Sequence, residues 1–377
     1  MRIAVLGAGM VGRAMAIDLA GSHSVISADI DQQTLDVLSD RHGIDTVIAD
    51  LRDSDTVGSV IREADLVVNA VPGFMGYSTL ETVILEGKNV VDIAFFPEDS
   101  QPLDALAREK GVTAVTDMGV APGMCNVILG WHNRRMKVES YLCLVGGLPW
   151  ERVWPWEYRA PFSPCDVIEE YVRPARYREN GADVERPALS DPELVHFPRC
   201  GTLESWNSDG LRSLLRTMPA IPQMKEKTLR WPGHIEKARI LRESGFFSRE
   251  PMEINGVMVS PLQMTEKILF SEKNWKQGDG EREFTVMRVV ITGTENGRHL
   301  THTWNLFDEY CPRTKTSSMA RTTGYACTAA VNAVASGLYT RTGLSPAEYL
   351  GEDDRCFRFM LDYLKERNVL YTKETIG

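Results

Sequence analysis

The sequence lacks the features that mark membrane-spanning and nucleic-acid-binding proteins. No run of apolar residues reaches the roughly 18 that a membrane-spanning helix needs. Cationic residues are in the minority, with 42 Lys and Arg against 52 Asp and Glu, a formal net charge of −10. Because an acidic chain repels phosphate backbones, we expect neither nucleic acid nor membrane as a partner. Met1 to Leu6 is apolar but too short for a signal peptide.

Cysteine is sparse, and metal-binding or hydrolase motifs are missing. The seven cysteines are widely spaced without a C-x-x-C pattern, which is typical of reduced thiols in a cytoplasmic protein. His299 and His302 would face opposite sides of a strand, so we expect no metal site there. No G-x-S-x-G elbow indicates a serine hydrolase.

The first third of the chain alternates short apolar runs with amphipathic stretches. Predicted strands are 3–6, 24–29, 46–49, 66–70, 89–93 and 113–116. Continuous apolar strands separated by helices predict a parallel sheet covered on both faces. The expected fold class is therefore α/β, with a doubly wound Rossmann domain.

The pattern after Pro122-Gly123 predicts a second, α+β domain with mixed or antiparallel sheet. Two strand-like runs, 284–292 and 299–307, flank Asn296-Gly297, a strong hairpin signal. Residues 173–192 are punctuated by prolines and predict extended chain and turns. Amphipathic helices near the end of the chain could cover the second domain or return to the first, and we expect the return. The predicted boundaries are 1–124 with 318–377 for the Rossmann domain, and 125–317 for the second domain.

The segment Gly7-Ala8-Gly9-Met10-Val11-Gly12 is a G-x-G-x-x-G between a predicted strand and a predicted helix. Gly7 permits the tight turn, Gly9 lets a pyrophosphate approach, and Gly12 allows close packing of helix on strand, while Met10 and Val11 open the helix. Asp29 ends the second strand, where a carboxylate accepts hydrogen bonds from both ribose hydroxyls and repels a 2′-phosphate. The motif therefore predicts NAD as cofactor.

Three further strand ends are candidates for cofactor contact. Asp50 and Leu51 end the third strand and could border the adenine. The fourth strand ends in Asn69, Ala70, Val71 and Pro72, and the fifth ends in Asp92. The carboxyl ends of parallel strands meet the ligand in such folds. The alternative is that strand geometry alone requires these loops.

The stretch Asp117-Met118-Gly119-Val120-Ala121-Pro122-Gly123 resembles the D-x-G-x-x-P-G turn of the saccharopine dehydrogenase-like family. Several segments are more similar to the L-lysine 6-dehydrogenases within it: 145–149, 168–176, 209–213, 228–234, 245–247 and 321–325. The resemblance implies a Rossmann domain, a mixed-sheet catalytic domain with homodimer contacts, and C-terminal helices returning to the Rossmann half. It also implies oxidative deamination of the ε-amino group of L-lysine with NAD, and a semialdehyde product that cyclises.

Two positions depart from the family patterns. Saccharopine reductases carry an acid before the proline of this turn, where this chain has Ala121. Trp206 and Asn207 stand where lysine dehydrogenases are expected to have other side chains, so these two residues could reshape the substrate pocket.

An amino-acid substrate suggests roles for several polar residues. A planar guanidinium suits a carboxylate, which favours Arg230 over Arg173 and Arg176. Asp117 is the favoured proton acceptor and His234 its rival. Asn207 and Asp209 are candidates for the polar end of the substrate. Each role has a structural alternative. Arg230 could be a structural arginine, Asp117 could cap the following turn, and His234 could be hydrogen-bonded at a helix start. Asp209 could cap the next helix.

Three functions remain open from the sequence. The first is an NAD-dependent dehydrogenase of L-lysine or a close diamino acid. The second is a saccharopine- or carboxynorspermidine-type reductase that joins an amine to a carbonyl compound. The third is a non-catalytic NAD-binding regulatory protein.

Overall fold

The computed structural model describes residues 1–160, 163–271, 273–278 and 280–377. The chain divides into two compact units, the first of residues 1–135 with 320–370 and the second of residues 136–319 with 371–377. The division differs from the predicted boundaries by two residues near 318 and by whole elements at two other places. The helix Met124–Asn133 belongs to the first unit, and the C-terminal strand Tyr371–Ile376 belongs to the second.

The strands are numbered in chain order. They are β1 Arg2–Leu6, β2 Ser24–Asp29, β3 Asp45–Ile48, β4 Leu66–Asn69, β5 Asn89–Asp92, β6 Thr113–Thr116, β7 Lys137–Pro149, β8 Ala175–Glu179, β9 Ala182–Arg186, β10 Glu193–Phe197, β11 Gly201–Asn207, β12 Gln223–Arg230, β13 Met252–Ile254, β14 Val257–Val259, β15 Glu283–Glu295, β16 Arg298–Glu309, β17 Gly343–Pro346 and β18 Tyr371–Ile376.

The helices are numbered in the same way. They are α1 Met10–Ala20, α2 Gln32–His42, α3 Ser54–Ile61, α4 Gly73–Leu85, α5 Leu103–Glu109, α6 Met124–Asn133, α7 Pro164–Val172, α8 Leu214–Thr217, α9 His234–Glu243, α10 Pro261–Leu269, α11 Ser318–Ala335, α12 Ala347–Glu352 and α13 Asp354–Glu366. None of these helices, within the described ranges, is long and apolar enough to cross a bilayer.

The first unit is built on a seven-stranded sheet in the order β17-β6-β5-β4-β1-β2-β3. All of its neighbouring strands pair in parallel. Every residue of β4 and β6 is buried, as expected for a parallel sheet covered on both faces. The predicted α/β Rossmann class is confirmed, and the strand order reverses between β1 and β4, where such folds bind ligands.

The second unit contains a nine-stranded mixed sheet, as predicted. Its main path is β10-β11-β12-β7-β15-β16-β18, with β8 attached to β12 and β9 attached to β8. The β12–β7 pair is parallel, whereas the other pairs are antiparallel. This sheet forms a platform on which the arginine-centred cluster described below is assembled.

Three two-residue hairpins of the second unit have the same turn sequence. Asn180-Gly181, Asn255-Gly256 and Asn296-Gly297 connect β8 to β9, β13 to β14 and β15 to β16, and both residues of each turn have positive φ. Type I′ turns require this conformation, which asparagine and glycine tolerate best. The hairpin at Asn296-Gly297 was predicted. The one at Asn180-Gly181 lies within 173–192, where extended chain and turns were predicted.

In the first unit, a carboxylate on α1 connects the C-terminal helices to the N-terminal part of the unit. Asp18 accepts hydrogen bonds from Thr328 Oγ1 at 2.6 Å, Tyr363 Oη at 2.7 Å and Arg367 Nε at 2.6 Å. Its side chain is only 12% exposed. The three bonds therefore join α1 to α11 and to the end of α13, within the unit predicted to be rejoined by the last segment of the chain.

Asp18→Ala is expected to lower the free energy of unfolding by about 3 kcal/mol, because it leaves buried donors, one of them charged, without an acceptor. Chemical denaturation of the wild type and variant measures this difference. Asp362→Ala on the exposed face of α13 is the matched control, for which a change of no more than about 0.5 kcal/mol is expected. Equal effects of the two substitutions would contradict this role for Asp18.

Candidate functional site

The glycine-rich loop between β1 and α1 contains two glycines at which a side chain would overlap the backbone, and one at which a side chain would contact no described atom. Gly7 has φ +101°, and a Cβ there would lie 2.6 Å from the carbonyl oxygen of Ala70. A Cβ at Gly12 would overlap the carbonyl oxygen of Gly7. A Cβ at Gly9 would meet no described atom within 4 Å. Gly9 is exposed and is also the N-cap of α1, where it has no side chain to accept hydrogen bonds from the first amide groups of the helix.

The carboxylate of Asp29 lies against this loop. Asp29 Oδ2 accepts a hydrogen bond from the backbone N–H of Ala8 at 2.6 Å, and Oδ1 accepts one from the N–H of Asp31 at 3.0 Å. The end of β2 is thus held beside the loop after β1, as the spacing between Gly12 and Asp29 predicted. The side chain is half-buried and provides an anionic acceptor at this edge of the sheet.

Asn69 and Asp92 contact each other at the ends of the neighbouring strands β4 and β5. Both side chains are fully buried. Asn69 Nδ2 donates to Asp92 Oδ2 and, at 3.1 Å, to the carbonyl of Gly76, while Asp92 Oδ1 accepts from the N–H of Ala94. Asn69 Oδ1 has no hydrogen-bond partner within the described part of the chain. The pair fixes the strand ends and the start of α4.

The other predicted cofactor residues differ in exposure. Met10 and Val11 are half-buried at the start of α1, Val71 is buried, and Pro72 is the N-cap of α4. Leu51 packs in the apolar core of the sheet. Asp50 lies near the surface beside Arg52 at 2.6 Å, and hydrogen bonds from Arg52 lower the pKa of its carboxyl to about 2.

Asp117 follows β6 directly and is 6% exposed. Its φ of +56° lies in the left-handed region, which is uncommon for a residue other than glycine and in which Asp is enriched. Because all strands of this sheet are parallel, Asp117 lies at the same edge as the glycine-rich loop, Asn69 and Asp92. The polar residues predicted for this domain therefore share one edge of the sheet.

In the second unit, a buried arginine is surrounded by aromatic and acidic side chains, which we call the arginine cluster. Arg230 ends β12, and its Nη2 donates to Glu170 Oε2 at 2.7 Å and to Tyr158 Oη at 3.1 Å. Its Nη1 donates to the carbonyl of Leu229, and the guanidinium lies 4.3 Å from the centre of the Tyr158 ring. The cluster comprises Tyr158, Glu170, Tyr171, Trp206, Arg230, His234 and Trp275.

Arg230 and Glu170 form a charged pair in this buried environment. Burial alone would lower the pKa of the Arg230 guanidinium, but Tyr158 and Glu170 together raise it above its ordinary value. Burial raises the pKa of the Glu170 carboxyl, and the charge of Arg230 opposes that rise. Arg230 is therefore a permanent cation whose counter-ion is Glu170.

His234 is the first residue of α9, and both of its ring nitrogens are hydrogen-bonded. Nδ1 lies 3.1 Å from the carbonyl oxygen of Trp156, and Nε2 lies 3.0 Å from Tyr171 Oη. Because a carbonyl only accepts, Nδ1 is the donor and Nε2 accepts from the Tyr171 hydroxyl. Burial, with the nearby charge of Arg230, lowers the pKa of His234 to about 3. The imidazole is therefore neutral near neutral pH.

This depressed pKa predicts a loss of stability in acid. In the unfolded chain His234 binds a proton near pH 6.5, whereas in the folded chain it does so only near pH 3. Its contribution is thus fully present above pH 6.5 and is lost as the pH falls toward 3. By pH 5 the loss amounts to about 2 kcal/mol. We expect His234→Gln to remove this contribution to the decrease in the free energy of unfolding between pH 7 and pH 5. Urea unfolding at both pH values measures the decrease. An unchanged pH dependence would contradict the assignment.

The register of β11 and β12 separates the residues predicted to bind the substrate. Arg230 is opposite Glu204, and Asn207 is opposite Lys227. Positions three residues apart on a strand face opposite sides of the sheet. Asn207 therefore lies across the sheet from Arg230, where its Nδ2 donates to Asp191 Oδ2 at 2.8 Å.

Asp209 also lies outside the arginine cluster. It accepts hydrogen bonds from the side chain of Arg176, through Nε at 2.9 Å and Nη2 at 2.8 Å. It does not cap the following helix, because α8 begins at Leu214 with Ser213 as its N-cap. The structure thus brings Arg230 and His234 together, whereas Asn207 and Asp209 form side-chain hydrogen bonds with Asp191 and Arg176, which are not part of the cluster.

Comparison with protein families gives two matches that together span nearly the whole chain. A family model described as the saccharopine dehydrogenase NADP binding domain matches residues 3–115. A second, described as the saccharopine dehydrogenase C-terminal domain, matches residues 119–370.

Individual relatives are more distant. The chain is 25% identical over 273 residues to an alpha-aminoadipic semialdehyde synthase of Arabidopsis thaliana, covering 67% of this chain and 24% of that protein. It is 23% identical over 233 residues to the saccharopine dehydrogenase [NADP(+), L-glutamate-forming] of Pyricularia oryzae, covering 58% of this chain and 52% of that protein. The chain thus spans about a quarter and about half of these relatives.

One solved structure has a similar fold over its full length. The apo saccharopine dehydrogenase (L-Glu forming) of Saccharomyces cerevisiae aligns with a TM-score of 0.78 at 18% identity, covering 100% of both chains. At this identity the similarity supports the fold, namely a Rossmann-type unit with a second mixed-sheet unit.

Proposed function

The chain belongs to the saccharopine dehydrogenase family, and we propose that it is an NAD-dependent oxidoreductase acting on the ε-amino group of L-lysine or a close diamino acid. A bound NAD, held by the glycine loop and Asp29, would supply the hydride acceptor for the carbon that carries the amine. The amine loses a proton as it is oxidised to an imine. Water then hydrolyses the imine, ammonia is released, and the resulting semialdehyde cyclises. The observation that carries the proposal is the juxtaposition of an open glycine loop with Asp29 in a chain of this family.

The glycine loop has the form needed to receive a dinucleotide. Gly9 leaves space where any side chain would stand, and the uncapped start of α1 supplies amide donors for a pyrophosphate. Asp29 offers an anionic acceptor beside the loop. A ribose diol is compatible with this carboxylate, whereas a 2′-phosphate would be repelled, and this supports NAD over NADP.

The arginine cluster has donors suited to a substrate carboxylate. Among the described residues, Arg230 Nε, Trp206 Nε1 and Trp275 Nε1 are buried and have no hydrogen-bond acceptor. Buried donors are normally satisfied, and a carboxylate supplies several acceptor positions. We therefore retain Arg230 as the residue for the substrate carboxylate. Asp117, at the edge of the sheet that carries the glycine loop, is our proposed proton acceptor, since the ring nitrogens of His234 are both engaged.

The second candidate function is a reductase that joins an amine to a carbonyl compound. The names of the matched relatives, which include a saccharopine dehydrogenase, favour it. Its reaction differs from the first in requiring an amine and a carbonyl compound together with the reduced cofactor.

One assay distinguishes the two. Purified protein is incubated with NAD or NADP and a panel of amino acids, and formation of the reduced cofactor is followed. Reduction with L-lysine alone supports the dehydrogenase. Oxidation of the reduced cofactor only when lysine or another amine and a keto acid or semialdehyde are both present supports the reductase and contradicts the dehydrogenase. Absence of turnover in both directions would overturn both.

Asp29→Arg is expected to shift the cofactor preference toward NADP by at least about tenfold, equivalent to about 1.4 kcal/mol, because it replaces a repulsive charge with an attractive one. The ratio of kcat/KM for NAD and NADP measures the shift. Asp36→Arg, which makes the same charge change at an exposed position of α2, is the control and should leave the ratio unchanged. Similar ratios for wild type and Asp29→Arg would rule out this role for Asp29.

A further inference from the structure

Glu170 differs from Arg230 in being accessible from outside the arginine cluster. The two side chains are joined at 2.7 Å, yet 27% of the Glu170 side chain is exposed and only 4% of the Arg230 side chain. Glu170 Oε2 accepts from Arg230, whereas Oε1 receives no hydrogen bond from the residues that the structure describes. One oxygen is therefore committed to the arginine, and the other is free to accept from a ligand.

We propose that Glu170 binds the α-ammonium group of the substrate and is a specificity-determining residue for diamino acids. The inference rests on the proposed function and extends it to a residue that the sequence did not identify. An α-amino acid carries a carboxylate and an ammonium on the same carbon, so a site for it needs one cation and one anion side by side. Arg230 and Glu170 form such a pair. Oε1 of the partly exposed Glu170 is the group that a ligand can reach, and the buried Nε of Arg230 behind it has no acceptor among the described residues.

The charge balance of the cluster supports this assignment. Burial disfavours the charged form of Glu170, and attraction to the Arg230 cation opposes this effect. An additional lone carboxylate would leave the pair with excess negative charge, and a lone ammonium with excess positive charge. A zwitterion adds one charge of each sign, so the neutral balance of the site is preserved. The cluster therefore suits an α-amino acid group better than a simple acid or a simple amine.

Three ligands distinguish recognition of the α-ammonium from recognition of the carboxylate. L-lysine carries both the carboxylate and the α-ammonium, 6-aminohexanoate lacks the α-ammonium, and cadaverine lacks the carboxylate. Binding of each is measured by calorimetric titration in the presence of NAD, so that the result does not depend on turnover. The proteins compared are the wild type, Glu170→Gln, Glu170→Asp and Glu169→Gln. Glu169 is a neighbouring acid of α7 paired with Arg249 at 2.7 Å, and its variant is the matched control.

Glu170→Gln is expected to weaken binding of L-lysine and cadaverine by about tenfold or more, the effect of one lost charged hydrogen bond. Binding of 6-aminohexanoate should stay within about twofold of the wild type. Glu170→Asp, which keeps the charge, should recover part of the loss, and Glu169→Gln should match the wild type.

Equal loss for all three ligands, or no loss for any, would assign Glu170 a structural role and overturn the inference. Wild-type protein that neither binds nor oxidises L-lysine would instead overturn the proposed function, and the inference with it.

Discussion

Gly9→Ala is expected to weaken NAD binding by at least about tenfold while leaving the thermal stability of the protein unchanged. A Cβ at this position meets no described protein atom within 4 Å, so the folded chain has room for it. In the proposed function, the space that it would enter is the one through which a pyrophosphate would approach the first amide groups of α1. The methyl group therefore competes with the ligand and not with the protein.

Gly12→Ala is the matched comparison within the same loop. Its Cβ would overlap the carbonyl oxygen of Gly7, so the loop or the helix must move even without a ligand. We expect this variant to lose both stability and NAD binding. Thermal unfolding without nucleotide and titration with NAD measure the two effects separately. If Gly9→Ala bound NAD as tightly as the wild type, the loop would not be the pyrophosphate site.

The sequence was sufficient to predict most of the first unit because local and global signals agree there. The strands β1 and β4 contain the apolar runs 3–6 and 66–68, and Gly7 and Gly12 of the first loop have a steric function that the motif already implies. The strand β17 was not predicted, since Gly343–Pro346 contains glycine, serine and proline and no apolar run. Its position depends on pairing with β6, which is a tertiary contact.

The second unit was predicted less completely because its site depends on register between strands. The sequence predicts Arg230 and Asn207 as substrate-binding residues, but the face on which Asn207 lies follows from the pairing of β11 with β12. Glu170 was missed, since an acid in the amphipathic helix α7 has the same local pattern as a surface acid. Only the fold brings it to Arg230, 60 residues further along the chain.

Arg230→Met is expected to lower the free energy of unfolding by about 3 kcal/mol, near the lower end for a broken buried ion pair because Glu170 is partly exposed. The substitution leaves the Glu170 carboxylate without its counter-ion and removes the donors to Tyr158 and to the carbonyl of Leu229. Urea denaturation at neutral pH measures the effect. Arg249 and Glu169 have the same 2.7 Å separation, but the Arg249 side chain is 74% exposed, so Arg249→Met should cost no more than about 0.5 kcal/mol.

The double variant Arg230→Met/Glu170→Gln distinguishes loss of the charge pair from loss of packing. If the cost arises from an uncompensated carboxylate, removing the charge of Glu170 restores on the order of 1–2 kcal/mol of the stability lost in Arg230→Met. If the cost arises from the contact of the guanidinium with the Tyr158 and Trp206 rings, the second substitution restores nothing. The pKa of His234 gives an independent measurement, because the charge of Arg230 helps to lower it. It should rise in both variants, which would bring the acid-dependent loss of stability closer to that of an ordinary histidine.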